Sequence, residues 1–364
     1  MRSEGLWFTE ITSLLNMLFK ESSEIQLTFS CKGHRATRSI VLGTGNSGEI
    51  DIQYMEGTTK ARVKIEQNLE HTYLDFLKTA LIQAGVLPLD FSAVDKILKK
   101  ASSELVVRIF LDTNIFILRG ISNYFYQKAK RRQLSFILLY ATPVIRNELG
   151  RMYEKNRNVI TLKSGQNNAE IKSKMKFANA LIGLREYDMY LQSGFVRTVH
   201  VSDENLFRSL HIGDGAIYRE YVSFMQRIPN RIVYFLTADK GYSARASSFP
   251  SIAINQNLPI PKEVDVNVRV LPSLVYTLAT MFGEVKVASA CNPWFHLTFT
   301  GTYDYDLNGP WVNLVFSESS GYSSNVKHRV EEILRRLKIL RKVRITRNEI
   351  VGRTLGGGVV NEIY

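Results

Sequence analysis

The octet Ile109-Phe110-Leu111-Asp112-Thr113-Asn114-Ile115-Phe116 decides the fold. It closes the run Val106-Val107-Arg108-Ile109-Phe110-Leu111, which is short, largely apolar and lacks strict alternation. Such a run is expected of a central parallel strand covered on both faces. Asp112 ends it, and Thr113 and Asn114 are capping types that open the next loop or helix. Side chains that do chemistry in a parallel sheet gather at the carboxyl ends of its strands. Asp112 therefore either caps a helix or serves a site.

Outward from this strand, runs of the same kind recur at Phe136-Ile137-Leu138-Leu139 and Ile232-Val233-Tyr234-Phe235-Leu236. Thr198-Val199-His200-Val201 and Ser251-Ile252-Ala253-Ile254 read as a fourth and a fifth strand. Helical spacing fills the gaps, over its longest stretch from 167 to 192. Strand and helix in alternation predict an α/β layered domain with a mostly parallel sheet, here over residues 91–262.

The flanks read differently. A packing helix with an apolar face over 6–20 precedes alternating runs at Ile25–Phe29, Ser39–Leu42, Ile50–Ile52 and Ala61–Ile65, separated by glycines, and a helix over 68–84. These predict an N-terminal helix plus a small β-rich domain over 1–90. After Pro259 and Pro261 come an expected strand at 266–271, a helix at 273–282 and strands at 295–302 and 311–316. With a basic helix over 325–342 they make a C-terminal α+β extension over 263–364.

Three further acidic residues fall on matching elements. Glu148 lies in the second turn of a helix opened by Pro143, where alone it reads as a surface charge. Asp214 stands at a helix start between Gly213 and Gly215, and Asp239 follows a strand that ends in Thr237-Ala238. Each aspartate by itself is either a helix cap or a ligand. Their order along the chain, strand-Asp, helix-Glu, helix-Asp, strand-Asp, resembles the PIN-domain nuclease family. The resemblance spans Leu105 to Asn255 and rests on Leu-Asp-Thr-Asn (111–114), Glu148, Gly-Asp-Gly-Ala (213–216) and Leu-Thr-Ala-Asp (236–239).

The resemblance implies a PIN-like α/β/α sandwich in which Asp112, Glu148, Asp214 and Asp239 hold Mg²⁺ or Mn²⁺ and cut nucleic acid, with Thr237 assisting and Thr113 and Asn114 in support. The implied activity is endonucleolytic cleavage of RNA, with DNA as the less favoured substrate. The alternative is a catalytically silent nucleic-acid-binding or scaffold module of the same fold. A homodimer or an inhibitor protein is the implied protein partner. The segment between Glu148 and Asp214 is longer than in compact toxin-type members. Phosphodiester hydrolysis places negative charge on several oxygens, and a hard divalent cation offsets it. Such a cation prefers a cage of oxygen ligands, which suits Asp and Glu without His or Cys. A haloacid-dehalogenase-type site would want a second aspartate two residues after Asp112, where Asn114 stands, and no glycine-rich loop carries the lysine of an ATP site.

The chain has 364 residues and a formal net charge of +13, which favours a polyanion. Lys130, Arg131, Arg132, Arg146, Arg151 and Lys240 near the acidic residues, and Arg335, Arg336 and Arg341 in the basic helix, are the candidate nucleic-acid contacts. Tyr124, Phe125, Tyr126 and Tyr153 could stack on bases, although core packing is the favoured role. The only two cysteines, Cys31 and Cys291, form no Cys-x-x-Cys pair, which argues against a structural zinc or a disulfide scaffold. No apolar run reaches the roughly 18 residues of a membrane span, so a cytoplasmic protein without a membrane partner is predicted.

Overall fold

The computed structural model describes residues 2–6, 8–30, 47–55, 60–67, 69, 71–99, 106–131, 134, 136–157, 168–199, 214–227, 232–239, 250–254, 259–290, 292–302, 305, 311–316, 328, 330–332 and 335–336. Cys31, Cys291, the expected strand over 39–42 and most of the basic helix lie outside these residues. In chain order the elements begin with β1 (Arg2–Leu6), α1 (Phe8–Glu21), β2 (Glu24–Ser30), β3 (Ser47–Tyr54), β4 (Lys60–Gln67), α2 (His71–Ala84) and α3 (Ser92–Leu98). Next come β5 (Val107–Leu111), α4 (Thr113–Ile117), a π-helical turn (Ile121–Phe125), α5 (Tyr126–Lys130), β6 (Ile137–Ala141), α6 (Pro143–Asn156), α7 (Asn168–Gln192) and β7 (Val196–Thr198). The remainder is α8 (Asp214–Gln226), β8 (Ile232–Thr237), β9 (Ser251–Ala253), β10 (Glu263–Asn267), α9 (Leu271–Phe282), β11 (Glu284–Ser289), β12 (Asn292–Gly301) and β13 (Val312–Phe316).

The chain is a mixed α/β protein with two sheets. The first is five-stranded and parallel throughout, in the order β7-β6-β5-β8-β9. From β5 the chain steps to β6 and β7 on one side, then crosses back to place β8 on the other side of β5. The order thus reverses between β5 and β8, and a crevice forms at such a switch outside the carboxyl ends of the strands. The third strand begins earlier than the sequence reading placed it, at Val196, because the turn at Ser193-Gly194 closes α7 there and Gly194 takes a positive φ of 71°.

Both faces of this sheet are covered, as the apolar run of β5 requires. On one face Tyr221 of α8 stacks on Phe110 at 4.3 Å and 5°, and its hydroxyl donates to the carbonyls of Leu111 at 2.6 Å and Tyr140 at 3.3 Å. On the other side Phe116 of α4 meets Tyr187 of α7 at 5.1 Å. From Phe177 to Asp188 nearly every residue of α7 is buried, because α6 flanks it and the helices over the second sheet abut it.

The second sheet is eight-stranded, in the order β1-β13-β12-β11-β2-β3-β4-β10, and every pairing in it is antiparallel. It contains the expected β2-β3-β4 meander. It also joins the segments before 90 and after 262, which the sequence reading divided between two units. Three pairings join them, β1 with β13, β4 with β10 and β11 with β2, the last setting Val285 and Val287 against Phe29 and Leu27 in register. Strands β1 and β11 were not anticipated: β1 has no β-branched residue, and β11 is a short run with only Val285 and Val287 in alternation. Inward residues of this sheet, such as Ile25, Leu27, Ile50, Val63, Val285 and Phe299, pack beneath α1, α2 and α9. Gly301 lets α9 lie directly on β12, since a Cβ there would stand 2.9 Å from the Ala279 carbonyl. Asn267 caps the turn that leads into α9 by accepting from the Arg269 N–H at 3.0 Å, so the expected strand over 266–271 ends at Asn267.

Among the described residues no helix is long and apolar enough to cross a membrane.

Two outcomes follow from this packing. Tyr221→Phe leaves the stack on Phe110 and removes the hydroxyl donor, so urea denaturation should report a loss of about 1 kcal/mol. Lys174 of α7 is buried, and desolvation pushes its amine down to about 7 from 10.5. Between those pH values the unfolded chain binds more protons than the folded one, so the lysine's penalty is full below pH 7 and fades as pH rises toward 10.5. Lys174→Met should therefore be the more stable protein below pH 7, with the gap in urea midpoint closing as pH rises through that window.

Candidate active site

Asp112 follows β5 directly, is 2% exposed, and is the N-cap of α4. Its carboxylate accepts from the Thr113 N–H at 2.8 Å through Oδ1, and from Asn114 Nδ2 at 3.2 Å and Thr237 Oγ1 at 2.6 Å through Oδ2. Its own N–H donates to the Leu236 carbonyl at 3.0 Å. The cap and the site are thus one arrangement, and the two readings left open by the sequence coexist at this residue. Three donors offset the cost of burying a carboxylate, which is several kcal/mol when it is unpaired.

Thr237 is the last residue of β8 and is fully buried. Its hydroxyl donates to Asp112 and accepts from the Asp239 N–H at 2.9 Å, so one oxygen fixes a carboxylate and the backbone that carries the next. The Asp239 side chain is exposed.

Glu148 projects from α6, which Thr142 caps by accepting from the Val144 N–H and which Pro143 opens at its first position. Thr113 Oγ1 donates to Glu148 Oε2 at 2.5 Å. The hydroxyl of Thr113 and its backbone N–H therefore bind two different acidic residues, and Asp112 and Glu148 are joined through a single residue. Asp214 is the first residue of α8, as the sequence reading had it, and its side chain lies outside the described residues. Among the described residues no group of three His, Cys, Asp or Glu side chains is close enough to hold an ion.

Asp112, Thr113, Asn114, Glu148, Thr237 and Asp239 thus gather at the carboxyl ends of β5 and β8 and on α6, which follows the neighbouring β6. All their donor atoms are oxygen apart from Asn114 Nδ2, and this set suits a hard divalent cation. Thr113, Asn114 and Thr237 donate to the Asp112 carboxylate and set its orientation.

Of the basic candidates, Lys130, Arg131, Arg146, Arg151, Arg335 and Arg336 are among the described residues. Arg146 is in an ion pair with Asp188 of α7, at 2.9 Å from Nε and 3.1 Å from Nη2, and the Tyr305 hydroxyl donates to the same carboxylate. Its hydrogen bonds to Asp188 hold the guanidinium above its ordinary pKa. Lys130 lies 4.7 Å from the Tyr126 ring centre, Arg131 and Arg151 are exposed, Arg335 is exposed, and Arg336 pairs with Glu332. Arg132, Lys240 and Arg341 lie outside the described residues. Of the four aromatics, Tyr124 stacks on Phe91 at 3.9 Å, Phe125 is buried, Tyr126 packs on Tyr190, and Tyr153 packs on Phe177 while also lining a groove. Sequence reading missed Tyr221, Glu186, Asp188 and Arg119. The run Arg185-Glu186-Tyr187-Asp188 in an otherwise apolar stretch was the available signal, but a charge run in a helix commonly faces water.

No protein-family model matches the chain, and no curated protein matches it.

Thr237→Val keeps the volume and removes the donor to Asp112. The buried acceptor left behind should cost about 1–3 kcal/mol, read as a lower urea midpoint, and a midpoint equal to wild type would mean the Thr237 hydroxyl does not hold Asp112.

Proposed function

We propose that this chain is a PIN-type nuclease that hydrolyses phosphodiester bonds in nucleic acid with a divalent metal, cutting RNA internally. The observation that carries the reading is the buried Asp112 carboxylate at the strand-order reversal, joined through Thr113 to Glu148 and through Thr237 to the Asp239 backbone. Helix capping alone needs the Thr113 N–H contact. It gives no reason for a second acidic residue on the Thr113 hydroxyl or for a fully buried threonine shared with a third.

Asp112, Glu148, Asp214 and Asp239 would hold Mg²⁺ or Mn²⁺. When bound, the ion supplies positive charge against the negative charge that builds on the non-bridging and leaving oxygens. The protein's share is orientation. Thr237 and Asn114 hold Asp112 Oδ2 on one side while the Thr113 N–H holds Oδ1, so the carboxylate plane is fixed before substrate arrives. Thr113 holds Glu148 at a set distance from it. The stacked Phe110 and Tyr221 close the sheet directly beneath, keeping water on the crevice side. Asp239, which is exposed, meets the phosphate first.

Asp112→Asn and Asp214→Asn should each lower Mn²⁺-dependent cleavage of labelled single-stranded RNA by roughly 100-fold or more, the scale of losing one preorganised charge-stabilising group. Asparagine caps helices about as well as aspartate, so the melting transition should persist. Cleavage by both variants at the wild-type rate would sink the assignment. Binding without cleavage by the wild type at any Mn²⁺ or Mg²⁺ concentration would favour the binding-module reading.

A further inference from the structure

Two glycines interrupt the helices behind the site, and they differ in kind. At Gly183 of α7 a Cβ would stand 2.9 Å from Leu149 Cδ2, so this glycine lets α6 and α7 close on each other. At Gly150 of α6 a Cβ would meet nothing within 4 Å. A glycine inside a helix costs about 1 kcal/mol relative to alanine, and no packing demand at Gly150 offsets that cost.

Gly150 lines a groove of about 360 Å³. Arg146, Tyr153, Glu154, Arg157, Leu184 and Tyr305 line it as well. The walls are braced. Arg146 is pinned on Asp188, the Tyr305 hydroxyl donates to that same carboxylate, and the Tyr305 N–H donates to the Tyr153 hydroxyl at 3.3 Å. Arg157 lies 6.0 Å from the Tyr153 ring centre. A groove with fixed aromatic and guanidinium planes binds a flat π face at little ordering cost.

The charge balance narrows the ligand. The two guanidinium groups are matched by Asp188 and by Glu154, which also lines the groove, so the site lacks the net positive charge of a phosphate grip. A neutral, planar group with hydrogen-bonding edges fits better. We propose that the groove over Gly150 binds an unstacked nucleobase of a single-stranded nucleic acid. Successive helical residues turn by about 100°, so Gly150 points about 200° away from Glu148. The base is therefore held on the other side of α6 from the acidic cluster, and it anchors a strand that reaches the site around that helix. This rests on the reading of the chain as one that acts on nucleic acid.

The test is equilibrium binding in EDTA, where no cleavage occurs, using a labelled oligoadenylate and an abasic oligomer of equal length. Gly150→Leu fills the groove and should weaken oligoadenylate binding by about tenfold, the scale of one lost base stack, with abasic binding unchanged. Gly150→Ala is the second variant. It should raise the melting temperature above wild type and weaken oligoadenylate by a smaller factor. Equal oligoadenylate affinity in wild type and Gly150→Leu, an equal loss for the abasic oligomer, or no oligoadenylate binding by the wild type would each overturn the proposal. The cleavage assay of Asp112→Asn fails or succeeds separately. A groove that binds bases beside an Asp112→Asn variant of full activity would refute the acidic site and leave the groove standing.

Discussion

The hydroxyl of Thr237 donates at 2.6 Å to a carboxylate that has almost no access to water, and much of the molecule is arranged around that contact. Asp112 ends β5 and Thr237 ends β8, so the bond forms only when the two strands pair in their parallel register, Leu111 beside Leu236. A slip of one residue would turn Thr237 to the other face of the sheet and leave the buried carboxylate short of a donor. The Asp112 N–H bonding the Leu236 carbonyl extends the same pairing by one residue. Strand register and site geometry are thus the same constraint seen from two sides. The pairing puts the acidic residues together, and the satisfied carboxylate rewards the correct pairing.

A second constraint ties α4, which starts at the site, to the antiparallel layer. Arg119, just past the end of α4, has φ of 54°, a left-handed conformation that costs a non-glycine residue about 1–3 kcal/mol. Its buried guanidinium donates to the Gln83 carbonyl and to Ser273, lies between the rings of Phe8 and Tyr276, and stands 3.5 Å from Glu186. Burial pushes the Glu186 carboxyl up, while Arg119 and the two donors of Ser122 pull it back down. The left-handed turn also sends the chain into the π-helical turn at Ile121–Phe125, which carries Ser122. Strain at one residue is accepted because it aims a cation at acceptors from α2, α7 and α9 together. The eight-stranded sheet and the parallel sheet therefore meet through specific polar bonds as well as apolar contact.

The charge of the chain behaves less simply than its sum. Arg146 is committed to Asp188, Lys128 to Asp95, Arg62 to Glu263 and Asp265, and Arg336 to Glu332. Each pair commits one of the 47 basic side chains to an acidic one and leaves the net charge of +13 unchanged, so the sum does not say which cations face outward. Helix α6 illustrates the result. One side presents Glu148 to the crevice, while another presents a braced and nearly neutral groove at Gly150.

The sequence by itself determined the parallel sheet and the positions of Asp112 and Asp239 just past the ends of two of its strands. A strand covered on both faces must be apolar throughout, and a carboxylate can follow it only where the chain leaves the apolar layer. Ile109 to Asp112 and Phe235 to Asp239 obey that rule, and so both were legible. The β2-β3-β4 meander was legible for the complementary reason, since alternation reports one buried face. Other features were decided only by tertiary structure. Strand β11 pairs with β2 across more than two hundred and fifty residues of chain, which joins the two flanks in one sheet, and local sequence carries no trace of a partner so distant. Whether Arg146 meets a phosphate or Asp188, and whether Glu186 faces water or Arg119, depends on which helix lies alongside. A charged side chain looks the same in sequence in either setting, because its burial and its partner are properties of the neighbour.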